Sequence, residues 1–269
     1  MTDKVQVEIK GEVATIMLNK PERLNALDNE MWHGIGEACE VVDAAPDVRV
    51  AVLMGAGGCF CAGLDVKAGS KLSASLDDKS PAQALARIRE HLAGHQASFS
   101  AVESLRVPVI GAIQRACTGA GLELALCCDV RLAAEGTLFS IPEVQLGLVP
   151  DMGGTQRLPR TVGIGKAKEL IYSARRFDAA EALRIGLVSA VYPVGDLQAR
   201  VAELAAEIAA NAPLAVQAAK RAINGTYYGE MPSWLEWETA QASGPLLSED
   251  RKVGLRAAAE RKRADFKGR

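Results

Sequence analysis

The chain has 269 residues, 49% of them apolar and 24% charged, and 31 Lys and Arg against 33 Asp and Glu give a net charge of −2. This is the profile of a soluble globular protein with one large domain, or one domain and an appendage. It excludes a disordered chain and the strongly basic balance of a dominant nucleic-acid binder. No apolar run approaches the ~20 residues that cross a bilayer, and a chain of this length buries enough surface to need no disulfide or metal staple.

In chain order, Val5, Val7 and Ile9 alternate with polar residues and Gly11-Glu12 turns the chain into 13–18, which predicts a β-hairpin. The charge-alternating start lacks the apolar segment of a secretory signal, and Lys-Gly-Arg at the end is no peroxisomal address, so the expected setting is reducing and cytoplasmic. Asp28 is placed to cap a helix reaching about Val42. Residues 49–54 form a continuous apolar run, as in a strand covered on both faces. The polar stretch 66–80 reads as a mobile loop, followed by a helix over 81–104 with Leu85, Ile88, Leu92, Phe99 and Val102 near helical spacing. A second strand is expected at 107–113, a short helix at 118–127 and a third strand at 130–133. Beyond Val191 the pattern turns helical, at 197–210, 213–223, 232–242 and 248–262. Strands alternating with helices imply an α/β fold with a mainly parallel sheet, divided as a core over 1–195 and a helical C-terminal region over 196–269.

Cys39, Cys59, Cys61, Cys117, Cys127 and Cys128 form no C-x-x-C and read as small buried hydrophobes. His91 and His95 stand four apart, but the segment between them lacks the glutamate of H-E-x-x-H, so a solvated helix face is expected and no metal site. There is no G-x-S-x-G, the run after 49–54 lacks the last glycine of G-x-G-x-x-G, and Gly163-Ile164-Gly165-Lys166 is not a P-loop. Nucleotide hydrolysis and dinucleotide redox chemistry therefore have no support.

Two glycine-rich segments follow predicted strands: Gly57-Gly58-Cys59-Phe60-Cys61-Ala62-Gly63-Leu64-Asp65, and Cys117-Thr118-Gly119-Ala120-Gly121-Leu122-Glu123. Small residues let a ligand approach the backbone, and amides at a helix start carry partial positive charge, so two converging amides would stabilise an oxyanion. Tight turns and helix–strand packing account for the glycines equally well. Glu123, Glu143 and Asp151 each lie among apolar residues, where desolvation lifts a carboxyl toward the range useful for proton transfer. The alternatives are a helix cap or turn cap, or an arginine partner such as Arg131 or Arg157.

With these residues placed, the whole chain resembles the crotonase (enoyl-CoA hydratase/isomerase) superfamily. The motifs are Asn19-Lys20-Pro21-Glu22-Arg23-Leu24-Asn25-Ala26-Leu27, Phe60-Cys61-Ala62-Gly63-Leu64-Asp65, Gly119-Ala120-Gly121-Leu122-Glu123-Leu124-Ala125, Pro142-Glu143-Val144-Gln145-Leu146-Gly147-Leu148 and Gly153-Gly154-Thr155-Gln156-Arg157-Leu158-Pro159. The resemblance implies a spiral of ββα units, a helical C-terminal trimerisation region, and a homotrimer or dimer of trimers. It implies an acyl-CoA substrate, with coenzyme A part of that substrate and no separate cofactor, and no nucleic-acid or membrane partner. The oxyanion hole would be the amides of Ala62 and Ala120. Arg23, Ala26, Ala62, Gly63, Leu64, Asp65, Lys67 and Phe266 would meet the coenzyme, Phe266 from a neighbouring subunit if the family pattern holds. Glu123 and Glu143 fall on the two glutamates of the hydratases. Asp151 is similar to an aspartate of Δ3,5-Δ2,4-dienoyl-CoA isomerases, although those carry aspartate where this chain has Glu123. The leading expectation is a dienoyl-CoA isomerase, the alternative is an enoyl-CoA hydratase, and a non-catalytic acyl-CoA- or RNA-binding member is the rival of another class.

Overall fold

The chain is described by a computed structural model covering residues 2–65, 80–225, 238–240, 248–260, 262 and 264–269. Strands β1 (Val5–Lys10) and β2 (Val13–Leu18) form the expected antiparallel hairpin, turned at Gly11, whose φ of +60° suits glycine. β2 then pairs in parallel with β3 (Val50–Gly55), β3 with β4 (Val109–Ile113), β4 with β6 (Val130–Ala134), and β6 with β9 (Ala190–Tyr192). The resulting order is β1-β2-β3-β4-β6-β9.

The two-residue period of a strand explains the unbroken apolar runs in β3 and β4. Ala51 and Leu53 point into one core with α1 (Asn29–Ala44) and the residues around Phe60 and Leu122. Val50 and Val52, with Ile110, Ala112, Leu132 and Ala134, point into a second core against Leu197, Val201, Ala205 and Ala209 of the helix Leu197–Ala209. The helical stretch past residue 196 thus begins as the cover of the sheet's second face. Each Val or Leu so buried contributes roughly 1.5–3 kcal/mol.

Asp28 caps α1 as expected, accepting from the Met31 amide at 3.1 Å. α2 (Pro81–Ser104) opens with a Ser80–Gln83 capping box and packs on α1 through Phe99, stacked on Trp32 at 4.5 Å. His91 and His95 depart from expectation. His95 is 7% exposed and lies flat on Trp32, 4.5 Å between centroids and 6° between planes, and His91 meets its edge at 4.1 Å. The face expected to be solvated is an aromatic stack, because Trp32 projects from α1 onto it. Burial pushes His95 down to about 4. Among the described residues no group of three or more His, Cys, Asp or Glu is placed to hold a metal, and no helix is long and apolar enough to cross a membrane.

The short helix begins later than expected. Gly119, with φ +54°, turns the chain out of β5 (Ala116–Thr118) into α3 (Ala120–Ala125). β5, β7 (Leu138–Ser140) and β8 (Phe177–Asp178) form a second sheet, which sequence periodicity missed because strands of two or three residues show no period. Helices α4 (Gly154–Val162), α5 (Ile164–Ser173), α6 (Ala179–Arg184), α7 (Leu197–Ala209), α8 (Pro213–Gly225) and α9 (Glu249–Ala259) follow along the chain. The loop expected at 66–80, apart from Ser80, and the helix expected at 232–242, apart from 238–240, lie outside the described residues. All six cysteines are free and buried, and burial pushes Cys39, Cys61 and Cys128 to about 12, as fits inert packing residues.

Candidate active site

Two backbone segments leave the sheet at the carboxyl ends of β3 and β4 and run side by side. The first is pinned by buried Asn25, whose Nδ2 donates to the carbonyls of Ala56 at 3.0 Å and Cys59 at 2.7 Å. Glycine is required where the first segment starts, since a Cβ on Gly55 would come within 1.9 Å of the Cys59 carbonyl oxygen. Cys61 then bridges Cys117 of β5: its amide donates to Ala116 O at 3.0 Å and its carbonyl accepts from Thr118 N at 3.2 Å. Gly121 sits so close that a Cβ there would approach the Cys61 carbonyl oxygen to 2.5 Å.

This pairing corrects one expected amide of the oxyanion hole. The Ala62 N–H donates to the Leu24 carbonyl at 3.0 Å, so that donor is occupied. Two residues on, the chain bridges Leu27, with Leu27 N donating to Gly63 O at 2.7 Å and Asp65 N to Leu27 O at 2.9 Å. A parallel bridge of this kind turns the backbone groups of Leu64 itself away from Leu27. No described residue accepts the Leu64 N–H. Ala120 opens α3, so its N–H is one of the donors a helix start leaves unpaired, and its φ is not positive, so the methyl group is tolerated. Leu64 and Ala120 therefore carry the available amides. A sequence motif names the residues of such a turn but does not say which way each N–H points.

The three carboxylates behave differently from one another. Glu123, one turn into α3 and 1% exposed, holds its Oε1 on the amides of Met152 at 3.0 Å and Gly154 at 2.8 Å. Burial, and then the Glu143 and Asp151 charges, push it up to about 8 against the pull of those amides. Glu143 follows Pro142, and its Oε2 is buried with no hydrogen-bond partner among the described residues. Its Oε1 lies 2.8 Å from where a Cβ on Gly119 would stand, and burial raises it to about 6. Asp151 is half-buried and raised, chiefly by burial. It does not cap the Gly153-Gly154 turn, because Glu123 takes the Met152 and Gly154 amides. Arg157 is no partner for the three acids either. It pairs with Glu103 at 2.7 Å and braces the loop by donating to the Met152 carbonyl at 3.1 Å. Arg131 donates to the carbonyls of Leu187 and Cys128.

Of the expected coenzyme contacts, Arg23, Ala26, Ala62, Gly63, Leu64 and Asp65 are brought together by the bridges just described. The Asp65 carboxylate is buried in an ion network, 2.9 Å from Lys20 Nζ and 3.6 Å from Arg23, so it holds Arg23 in place and is not itself offered to a ligand. Lys20 also bonds Asp28 at 2.7 Å and reaches the Ala26 carbonyl at 3.5 Å. Lys67 lies outside the described residues. Phe266 is placed elsewhere: its carbonyl accepts from Arg49 at 2.8 Å, at the start of β3, whereas the site lies past the end of that strand, roughly 20 Å on. Within one chain, Phe266 takes no part in this wall.

The enoyl-CoA hydratase/isomerase family model matches residues 8–269. The chain is 39% identical over 270 residues to the enoyl-CoA hydratase/isomerase-type protein YngF of Bacillus subtilis (strain 168), across 100% of each. It is 36% identical over 242 residues to the peroxisomal Delta(3,5)-Delta(2,4)-dienoyl-CoA isomerase of Arabidopsis thaliana, covering 89% of this chain and 87% of that one. The crystal structure of an enoyl-CoA hydratase from Bacillus anthracis matches with a TM-score of 0.90 and 35% identity, over 99% of this chain and 100% of that one. Sequence and fold agree, and the chain belongs to the enoyl-CoA hydratase/isomerase (crotonase) family.

Proposed function

We propose that the protein shifts the double bonds of a 3,5-dienoyl-CoA to the 2,4 positions through a thioester enolate. The amides of Leu64 and Ala120 receive the thioester oxygen, where negative charge develops as C2 loses its proton. Glu143, ionised above about pH 6, takes that proton, and the electron pair spreads along the diene. Asp151, whose carboxyl burial raises above its ordinary range, delivers a proton to C6 from its protonated form. C2 and C6 lie too far apart for one fixed carboxylate, so two acids are needed. The observation that carries the reading is the division of labour in the loop: Glu123 holds both amides, which leaves Asp151 free for chemistry. Coenzyme A is part of the substrate, and the reaction needs no separate cofactor. The active assembly is proposed to be a homotrimer or dimer of trimers in the cytoplasm.

An enoyl-CoA hydratase is the second reading, favoured by the electrostatic coupling of Glu123 and Glu143, two acids suited to orienting one water. Asp151→Asn separates the two. The isomerase reading requires dienoyl conversion to collapse by about 10²-fold or more while any hydration of a short 2-enoyl-CoA persists. Survival of both activities assigns Asp151 a structural role and favours the hydratase.

A further inference from the structure

The face of the second sheet turned away from the core carries a cavity of about 630 Å³ that the proposed chemistry leaves unused. Ala116 and Thr118 of β5 and Ser140 of β7 line it, alternating with Cys117 and Phe139, which point into the core. Ala62, from the expected coenzyme wall, lines it too, and the Thr118 hydroxyl donates to the Ala62 carbonyl at 2.8 Å. Ser140 is 4% exposed, and its hydroxyl has no hydrogen-bond partner among the described residues. Three arginines, Arg115, Arg175 and Arg176, also line the cavity, and none of its described lining residues is acidic. Arg175 is already neutralised, 2.6 Å from each of Glu169 and Glu181. Arg115 and Arg176 pair with no acid among the described residues, so their charge is offered to the cavity.

Arg115 stands there under backbone strain. It is the middle residue of a three-residue turn, closed by the Ala116 N–H on the Gln114 carbonyl at 2.8 Å, and its φ is +64°. This is the rare form of the γ-turn, and its positive φ strains any residue with a side chain. The neighbours hold the turn in place: the Phe60 amide donates to the Gln114 carbonyl at 2.9 Å and the Leu138 amide to the Arg115 carbonyl at 3.0 Å. Strain kept at a residue other than glycine points to a use for its side chain.

We propose that this cavity binds a phosphate group of the substrate's coenzyme, held by the Arg115 and Arg176 guanidinium groups and the Ser140 hydroxyl. The inference rests on an acyl-CoA substrate, which the isomerase and hydratase readings share. Coenzyme A carries a diphosphate and a ribose phosphate. Arg23, the one cation among the described coenzyme contacts, lies 3.6 Å from the Asp65 carboxylate and shares its charge with it. A guanidinium fork matches phosphate oxygens with two parallel donors, and a cavity of this size suits a whole nucleotide rather than a bare ion.

The test compares CoA thioesters with the matching pantetheine thioesters, which lack every phosphate of the coenzyme. Arg115→Gly and Arg176→Ala are each expected to raise KM for the CoA thioester about tenfold, the low end for a charged hydrogen bond, with kcat held. KM for the pantetheine thioester is expected to keep its wild-type value, a split that a merely structural role would not produce. The difference between variants and wild type is expected to shrink in high salt. Arg115→Gly is expected to melt at or slightly above the wild-type temperature, since glycine relieves the turn, so its weaker binding cannot come from a damaged fold. Calorimetric titration with the coenzyme's adenosine bisphosphate fragment and with inorganic phosphate separates the sources. Weaker binding of the fragment in both variants, together with the raised KM, supports the coenzyme. Unchanged KM with weaker binding of inorganic phosphate gives the site to a free phosphate and overturns the coenzyme as its occupant. Unchanged KM and unchanged titrations overturn the site. A wild type inactive on every CoA thioester overturns the acyl-CoA reading, while the titrations still decide whether the cavity binds phosphate.

Discussion

Glu123 is the residue at which stability and activity are linked most directly. Its carboxyl titrates near 8 in the fold, against 4.5 for the free group, so between those values the folded chain holds a proton that the unfolded chain gives up. The native state binds more protons in that window, and the sign follows: stability from this group is full below about pH 4.5 and is lost as pH rises through 8. Glu123→Gln removes the titration, so denaturant unfolding of the wild type is expected to weaken relative to the variant from pH 5 to 8. The same ionisation puts a negative charge beside Glu143 and the developing enolate. The pH profile of kcat/KM is therefore expected to have an acid limb near 6, from Glu143, and an alkaline limb near 8 that disappears in Glu123→Gln. The three carboxylates were legible in the sequence because each interrupts an apolar stretch. Which of them serves the loop and which the substrate was not, since Glu123 and Asp151 compete for the same amides and only the folded loop decides between them.

At the scale of elements, α3 packs closely against the Cys61–Asp65 segment. Gly121→Ala drives a methyl group to 2.5 Å from the Cys61 carbonyl oxygen and 2.9 Å from its Cβ, which forces the two segments apart. Overpacking of this kind costs about 1–3 kcal/mol, so a fall of several degrees in Tm is expected, with a larger loss of turnover as the Leu64 and Ala120 amides diverge. Gly165→Ala on α5 is the control: its Cβ would meet nothing within 4 Å, and Tm should hold or rise slightly. Elements with a long period or a strong cap (the β1–β2 hairpin, α1 behind Asp28, α2 behind Ser80) could be read from the sequence. β5, β7 and β8 could not, because pairing across the second sheet rather than local pattern makes them strands. The His91–His95 face was misread for a related reason: its environment is Trp32, a residue of another helix.

For the whole molecule, Arg49 joins distant parts of the chain. Its guanidinium donates to the carbonyls of Ala209 at 3.0 Å and Phe266 at 2.8 Å, and pairs with Glu12 at 3.0 Å, which ties the hairpin, α7 and the C-terminal segment to the start of β3. Arg49→Ala is expected to cost about 1.5–3 kcal/mol, the range for hydrogen bonds from a charged donor. Hydrogen exchange checks where the loss falls: α9 and the segment around Phe266 should open faster while β2, β3 and β4 keep their protection. The division of labour between α1 and α7 has a consequence for synthesis. The neighbours in the sheet come from far apart in the chain, Ala51 beside Val109 and Leu132 beside Ala190, and one apolar face of the sheet waits for Leu197–Ala209 to cover it. A nascent chain with all its strands out of the ribosome still presents Val50, Val52, Ile110 and Leu132 to water until α7 emerges. During that interval the growing polypeptide is a natural client for chaperones, and a message stalled just before the α7 codons yields a sticky, protease-sensitive product.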